Sequence, residues 1–285
     1  MPNAKDAHRN QESPSRFLMM GGTGSGKTTQ FLTLPGKKFL YIFDPNALAT
    51  IEGNDVDYEE FAADITDVDI AIKTLKNEGP RDHSSRKISP QTYINWEKHF
   101  EGHWDSGFFD AYSWIGFDSF TLFLELVMDR ILFLNQRTGK QPEQADWAAQ
   151  VNTVGNVFRV FSSRKRTGIY CTAHLDERQD ELTKRIFFRP MMTGRLRTRI
   201  PLLFNNVLIC HADETPKGPE WYVQTRPDKL YPTVRTSMKG LEFYQDVTIR
   251  DFSKPTEYGL GALLKKAGKL PAANVTTLPT TRNRR

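Results

Sequence analysis

The 285-residue chain carries 39 Lys and Arg against 34 Asp and Glu, a formal net charge of +5, with 38% hydrophobic residues, 26% charged residues and 19 Gly. This balance excludes wholesale disorder, collagen and coiled coil, and the length suffices for one large α/β domain with its own core. Cys171 and Cys210 are the two cysteines, each inside an apolar run, so there is no disulfide scaffold.

Residues 1–15 are polar and read as a disordered arm without the apolar segment of a signal peptide. Arg16 to Met20 is a short apolar run that opens directly into glycines, the pattern of a buried strand feeding a loop. Lys27 to Leu34 continues as a helix that Pro35-Gly36 stops, and Lys38 to Phe43 forms a second apolar strand. Helical spacing recurs over Asp64 to Asn77. The polar, His- and Trp-rich stretch 79–107 reads as a candidate insertion. Tyr112 to Phe117 is the next strand, followed by helices over Thr121 to Asn135 and Ala145 to Ser162 around a loop at Gln136 to Glu143.

Further strands are expected over Gly168 to Ala173, Asn206 to His211 and Trp221 to Gln224, and a short helix precedes the polar tail. Strands alternating with helices imply a mostly parallel sheet flanked by helices. The organisation is an arm over 1–15, one domain over 16–253, and a basic C-terminal helix and tail over 254–285. The most apolar helical stretch, Thr121 to Asn135, contains Glu125, Asp129 and Arg130 and is too short and too charged to span a bilayer. These features point to a soluble, cytoplasmic protein without membrane contact.

Charge placement says more than its size. Residues 254–285 hold seven basic groups against Glu257, and Arg159 to Arg199 hold eleven Arg and Lys against four Asp and Glu. Two basic clusters on a near-neutral body point to local contact with a polyanion.

The chemistry centres on Gly21-Gly22-Thr23-Gly24-Ser25-Gly26-Lys27-Thr28, which matches G-x-x-x-x-G-K-[ST] between a strand and a helix. Glycines let successive N–H groups curl inward around a phosphate chain. Lys27 is then placed for the β- and γ-phosphates of ATP, Thr28 for Mg²⁺, and Thr29 follows on the helix. Such a site also needs an acid at the end of a neighbouring strand. Asp118, closing YSWIGFD, and Asp44, closing KFLYIFD, are the candidates; a strand-end carboxylate can also cap a turn.

The order GGTGSGKT, KFLYIFDPN, WIGFDSFT, IYCTAH and NNVLICHAD resembles the RecA-like P-loop ATPases over roughly 16–235, and most nearly the phage recombination ATPases of the Sak group. The resemblance implies a RecA-like core that binds ATP and Mg²⁺, with Asp118 as the acid that holds the metal through water with Thr28. It places His174 as the sensor of the γ-phosphate. It also puts the chain in phage-type recombination, annealing or replication in the bacterial host cytoplasm. Implied partners are single-stranded DNA, further copies of the chain, and single-strand-binding or replication proteins.

By the same resemblance Asp176 to Arg199 falls where a mobile DNA-binding loop lies, with Arg178, Lys184, Arg185, Arg189, Arg195, Arg197 and Arg199 as phosphate contacts, and Gln136 to Asp146 falls at a second DNA loop. Phe187 and Phe188 inside the basic run offer faces for base stacking. A basic residue reaching a neighbour's nucleotide would come from Arg195, Arg197, Arg199 or Arg235.

One departure stands out: Asn46 occupies the place of the glutamate that polarises the attacking water. Asn cannot accept that proton, so turnover is expected to be slow, to use Asp44, or to be absent. Three alternatives use the same loop: a nucleoside or small-molecule kinase, a packaging or remodelling ATPase, and a nucleotide-regulated binding module. His99 and His103, four residues apart, lack a third metal ligand of convincing spacing.

Overall fold

The computed structural model describes residues 14–61, 90–138, 140–164, 166–192, 194–216 and 218–269. The arm before Pro14, the helix expected over 64–77 and the tail beyond Lys269 lie outside these residues.

The first strand, β1 (Arg16–Met20), shows how the core is built. Its side chains alternate between two faces that are both covered: Leu18 and Met20 pack with one apolar cluster, Phe17 and Met19 with another. That is why the run is continuously apolar rather than alternating with polar residues. Around it lie β2 (Lys38–Ile42), β3 (Asp57–Glu60), β4 (Trp114–Asp118), β5 (Gly168–Ala173), β8 (Asn206–Thr215), β9 (Gly218–Gln224) and β10 (Tyr244–Asp246), in the order β10-β9-β8-β1-β5-β4-β2-β3. The six strands from β8 to β3 pair parallel; β9 and β10 add antiparallel. This is the mostly parallel α/β core expected from the sequence.

One face carries α1 (Lys27–Leu32), α2 (Ala47–Ile51) and the last helix, α7 (Gly259–Lys266). The other carries α3 (Gln91–Asp105), α4 (Phe120–Leu134) and α5 (Gln144–Ser162). Ser119 caps α4 by accepting from the Leu122 N–H at 3.4 Å. At the start of α5, Asp146 accepts from the Glu143 N–H at 2.8 Å.

Three regions differ from expectation. Residues 79–89 lie outside the described part, but α3, within the candidate insertion, belongs to the core: Tyr93 and Trp96 are buried, and Trp96 packs edge-on against Phe123 at 4.6 Å. The basic stretch Asp176 to Arg199 is not a loop throughout. It contains an antiparallel hairpin, β6 (Leu175–Gln179) and β7 (Ile186–Pro190), and then α6 (Leu196–Arg199). The hairpin closes because Asp180 Oδ1 accepts from the N–H groups of Leu182 and Thr183 at 3.1 and 2.7 Å, with Lys184 at φ 55°. Finally, α7 is integral to the domain, with Leu260 and Leu264 buried and the Leu260 N–H donating to Thr33 Oγ1 at 3.0 Å.

Candidate functional site

The glycine loop leaves the C-terminal end of β1 and bends through Gly24 at φ 75° and Gly26 at φ 82°, conformations that favour residues without a Cβ. A Cβ at Gly21 would also stand 2.8 Å from the Cys210 carbonyl oxygen. Ser25 Oγ donates to the Gly22 carbonyl at 2.8 Å. Lys27 is 8% exposed, and its ammonium lies within the loop, donating to the carbonyls of Gly21 at 3.0 Å and Gly22 at 2.6 Å. Burial lowers its pKa from the usual lysine value, against the raising influence of Cys210, Asp118 and Asp44. The Tyr170 hydroxyl donates to the Lys27 carbonyl and ties the first turn of α1 to β5. Thr28 and Thr29 are half-buried on that turn, and Gly22, Thr23 and Gly24 are exposed.

Asp118 ends β4 and is 3% exposed. Thr172 Oγ1, on the adjacent β5, donates to its Oδ1 at 2.5 Å. Oδ2 is buried without a hydrogen bond of its own, and the Thr28 side chain acts on the same carboxyl group. Burial raises the pKa of this carboxyl above the usual value. Thr172 and Thr28 oppose the rise, Asp44 adds to it, and Lys27 opposes it.

Asp44 follows β2, where its N–H and that of Phe43 donate to the Asp118 carbonyl at 3.2 and 2.5 Å, locking the two strand ends together. Its Oδ1 accepts from the N–H and the side-chain amide of Asn46 at 2.9 and 3.2 Å. Asn46 is exposed, and its side chain is spent on Asp44.

His174 follows β5, and its N–H donates to Thr121 Oγ1 at 3.1 Å. Burial lowers its imidazole pKa, Lys27 lowers it further, and Asp44 and Asp118 pull it back. Lys27, Thr28, Asp44, Asp118 and His174, five sequence candidates from four separate chain segments, meet at the C-terminal ends of the neighbouring parallel strands β1, β2, β4 and β5, close enough to influence one another's charge.

The basic candidates divide. Lys184, Arg185, Arg195 and Arg199 are exposed. Arg178 pairs with Asp176 at 2.6 Å. Arg197 donates to the Met192 carbonyl at 3.2 Å and faces Asp176 at 3.8 Å. Arg189 lies over the Phe187 ring at 4.8 Å, and Phe188 stacks on Tyr231 at 5.4 Å, so each half-buried ring already has one contact in the protein. Arg235 is exposed, and one of its guanidinium nitrogens donates to the carbonyls of Pro201 and Phe204 at 2.6 and 2.7 Å. In the stretch 136–146, whose last three residues open α5, Arg137 turns onto Glu143 at 2.7 Å and Asp146 at 3.1 Å.

His99 and His103 sit in an aromatic cluster, His103 stacked on Phe108 at 3.7 Å. Among the described residues no group of three or more His, Cys, Asp or Glu could hold a metal ion, and no helix is long and apolar enough to cross a membrane.

Sequence reasoning missed Thr172 and Trp221. Thr172 carried a signal, a hydroxyl two residues before His174 in an otherwise apolar strand. Trp221, whose Nε1 donates to the Gly24 carbonyl at 3.4 Å, reaches the loop from 197 residues away and carried none.

The AAA domain family AAA_24 matches residues 13–235, and the chain belongs to it. No curated protein matches the chain. Among solved structures, it is similar to the flagellar accessory protein FlaH from Methanocaldococcus jannaschii at 11% identity and a TM-score of 0.36, covering 87% of this chain and 92% of that one.

Proposed function

Starting from a P-loop ATPase of the AAA and RecA-like kind, we propose that the chain binds and slowly hydrolyses ATP with Mg²⁺ and couples this to single-stranded DNA in phage-type recombination, annealing or replication. The observation that carries the coupling is the hairpin β6–β7, which springs from the residue after His174 and is followed by the exposed Arg195 and Arg199. The Met191 N–H also donates to the His174 carbonyl at 2.8 Å, so both ends of the hairpin are anchored at that histidine.

The donor set fits the nucleotide and its metal. Asp118 Oδ2, buried without a hydrogen bond on a carboxyl that the Thr28 side chain also influences, matches the need for an acid that holds Mg²⁺ through water. Thr28 and Asp118 would hold the metal, which when bound neutralises charge on the phosphate oxygens. Gly21 to Gly26 supply backbone N–H donors, Lys27 exchanges its loop carbonyls for phosphate oxygens, and Thr29 borders the same turn.

His174, kept neutral by its lowered pKa, donates a hydrogen bond toward the terminal phosphate. Asp44 orients the attacking water and accepts its proton on Oδ2, since Asn46 occupies Oδ1 and can take no proton itself. Lys184, Arg185, Arg195 and Arg199 neutralise DNA phosphates, and a homo-oligomer would bring Arg195 or Arg199 to a neighbour's nucleotide.

The exposed, hydrogen-bonded Asn46 favours one second reading, a nucleotide-regulated binding module that scarcely turns over. An ATPase assay with and without single-stranded DNA, duplex DNA and nucleosides separates these readings. Stimulation by single strands alone is expected; stimulation by a nucleoside would install the kinase alternative.

A further inference from the structure

The sheet order gives the loop a direction. Asp118, Asp44 and His174 stand at the ends of β4, β2 and β5, all on one side of β1, while β8 and β9 occupy the other. A triphosphate whose terminal phosphates lie toward Thr28 and Asp118 therefore carries its sugar and base toward β8 and β9.

Trp221 stands there. It lies on β9, two residues before the buried Val223, on the face that also carries α1. Its Nε1 donates to the Gly24 carbonyl at 3.4 Å, and a Cβ on Gly26 would lie 2.8 Å from its Cδ1. Behind it the backbone is fixed, since the Trp221 N–H donates to Thr248 Oγ1 at 2.9 Å and its carbonyl accepts from the Val247 N–H at 2.8 Å. The backbone of Trp221 is thus fixed, and its indole lies against the loop while remaining half-exposed.

We propose that Trp221 is the wall against which the nucleoside of the bound nucleotide stacks, and so a specificity-determining residue of this site. The proposal rests on the nucleotide-binding reading of the loop. A π face is common to every base and larger in a purine, so purines are held more tightly than pyrimidines, with little discrimination between adenine and guanine.

The test measures binding of ATP, GTP, CTP and inorganic tripolyphosphate, each with Mg²⁺, to the full chain and to its Trp221→Phe, Trp221→Leu and Lys27→Ala variants, by calorimetry and tryptophan emission. Trp221→Leu keeps an apolar side chain against the loop but removes the ring; it should weaken ATP and GTP about tenfold, the size of one base–aromatic stack, and leave tripolyphosphate unchanged. Trp221→Phe should stay within about threefold for ATP, because a smaller ring still stacks. Emission of the unsubstituted chain should be quenched by ATP and not by tripolyphosphate, and that difference should vanish in Trp221→Phe.

Equal losses for ATP and tripolyphosphate would make Trp221 a brace of the loop alone and overturn the proposal, as would unchanged ATP affinity in Trp221→Leu. Should Trp221→Leu fail to fold, the ATP-specific quench decides: its absence overturns the proposal. Unchanged ATP affinity in Lys27→Ala would instead remove the nucleotide-binding reading of the loop.

Discussion

The Thr172 hydroxyl donates to Asp118 Oδ1 at 2.5 Å across neighbouring parallel strands, which fixes the carboxylate and leaves its second oxygen buried without a hydrogen bond. The pairing follows from register: Phe117 lies opposite Cys171, so the next residue on each strand falls side by side. Thr172→Val should therefore leave the fold intact and weaken Mg²⁺-dependent nucleotide binding, by about 10- to 150-fold if the hydrogen bond to the charged group contributes about 1.5–3 kcal/mol. Titration of ATP with and without Mg²⁺ checks it; loss in both arms alike would place Thr172 outside the metal's influence.

Asp118 is held above the ordinary carboxylate pKa chiefly by burial. A carboxyl raised in the folded state favours folding fully below its unfolded value, near 3.8, and that contribution is lost as pH rises through the folded value. Asp118→Asn removes the buried charge. Without nucleotide the variant should be more stable at neutral pH, by about 1–3 kcal/mol, and should show a flatter decline above about pH 4. Urea melts across this range provide the measurement, and a less stable variant would show that the charge is stabilised in place.

Lys27→Ala removes the ammonium that the Gly21 and Gly22 carbonyls hold. The unsubstituted chain should gain about 2.7 kcal/mol at 100 times the dissociation constant of ATP. The variant should gain little, and the comparison of melting temperatures with and without ATP-Mg²⁺ reads the difference.

Reversing Lys184, Arg185, Arg195 and Arg199 to Glu alters four exposed side chains. Oligonucleotide affinity should fall, and the slope of log K against log salt should flatten by about 0.7 for each single-strand phosphate that is no longer neutralised. Arg235→Gln should act otherwise: it strips the carbonyls of Pro201 and Phe204 of a donor and lowers stability by about 1–3 kcal/mol. Equal oligonucleotide affinity after the fourfold reversal would assign the basic hairpin another task.

Gly261→Ala tests whether α7 belongs to the domain. A Cβ there would meet the Thr33 carbonyl oxygen and come within 2.6 Å of that of Thr256, both backbone atoms that cannot swing away. Overpacking of this kind should cost about 1–3 kcal/mol in a chemical melt. A neutral substitution would mean that α7 docks loosely.

Much of the sheet was legible because parallel strands buried on both faces are runs of apolar residues, as in Arg16–Met20 and Gly168–Ala173. The edges were not. Asp57–Glu60 is an exposed border strand made of polar residues, and its place comes from pairing with β2 rather than from its own pattern. Helix α3 was obscured by its own composition, since His and Trp residues that read as an irregular insertion are the aromatic face it buries.

For the site, spacing within one segment determined the glycine loop, Lys27 and Thr28, because a phosphate cradle is built from consecutive backbone amides and its residue types are local demands. Strand ends determined Asp44, Asp118 and His174 as candidates. Their convergence, the Thr172 hydroxyl beside Asp118 and the indole of Trp221 over the loop were decided only by strand order and register. These bring together residues far apart in the chain, and no local pattern carries a distance that the packing of the sheet has yet to set.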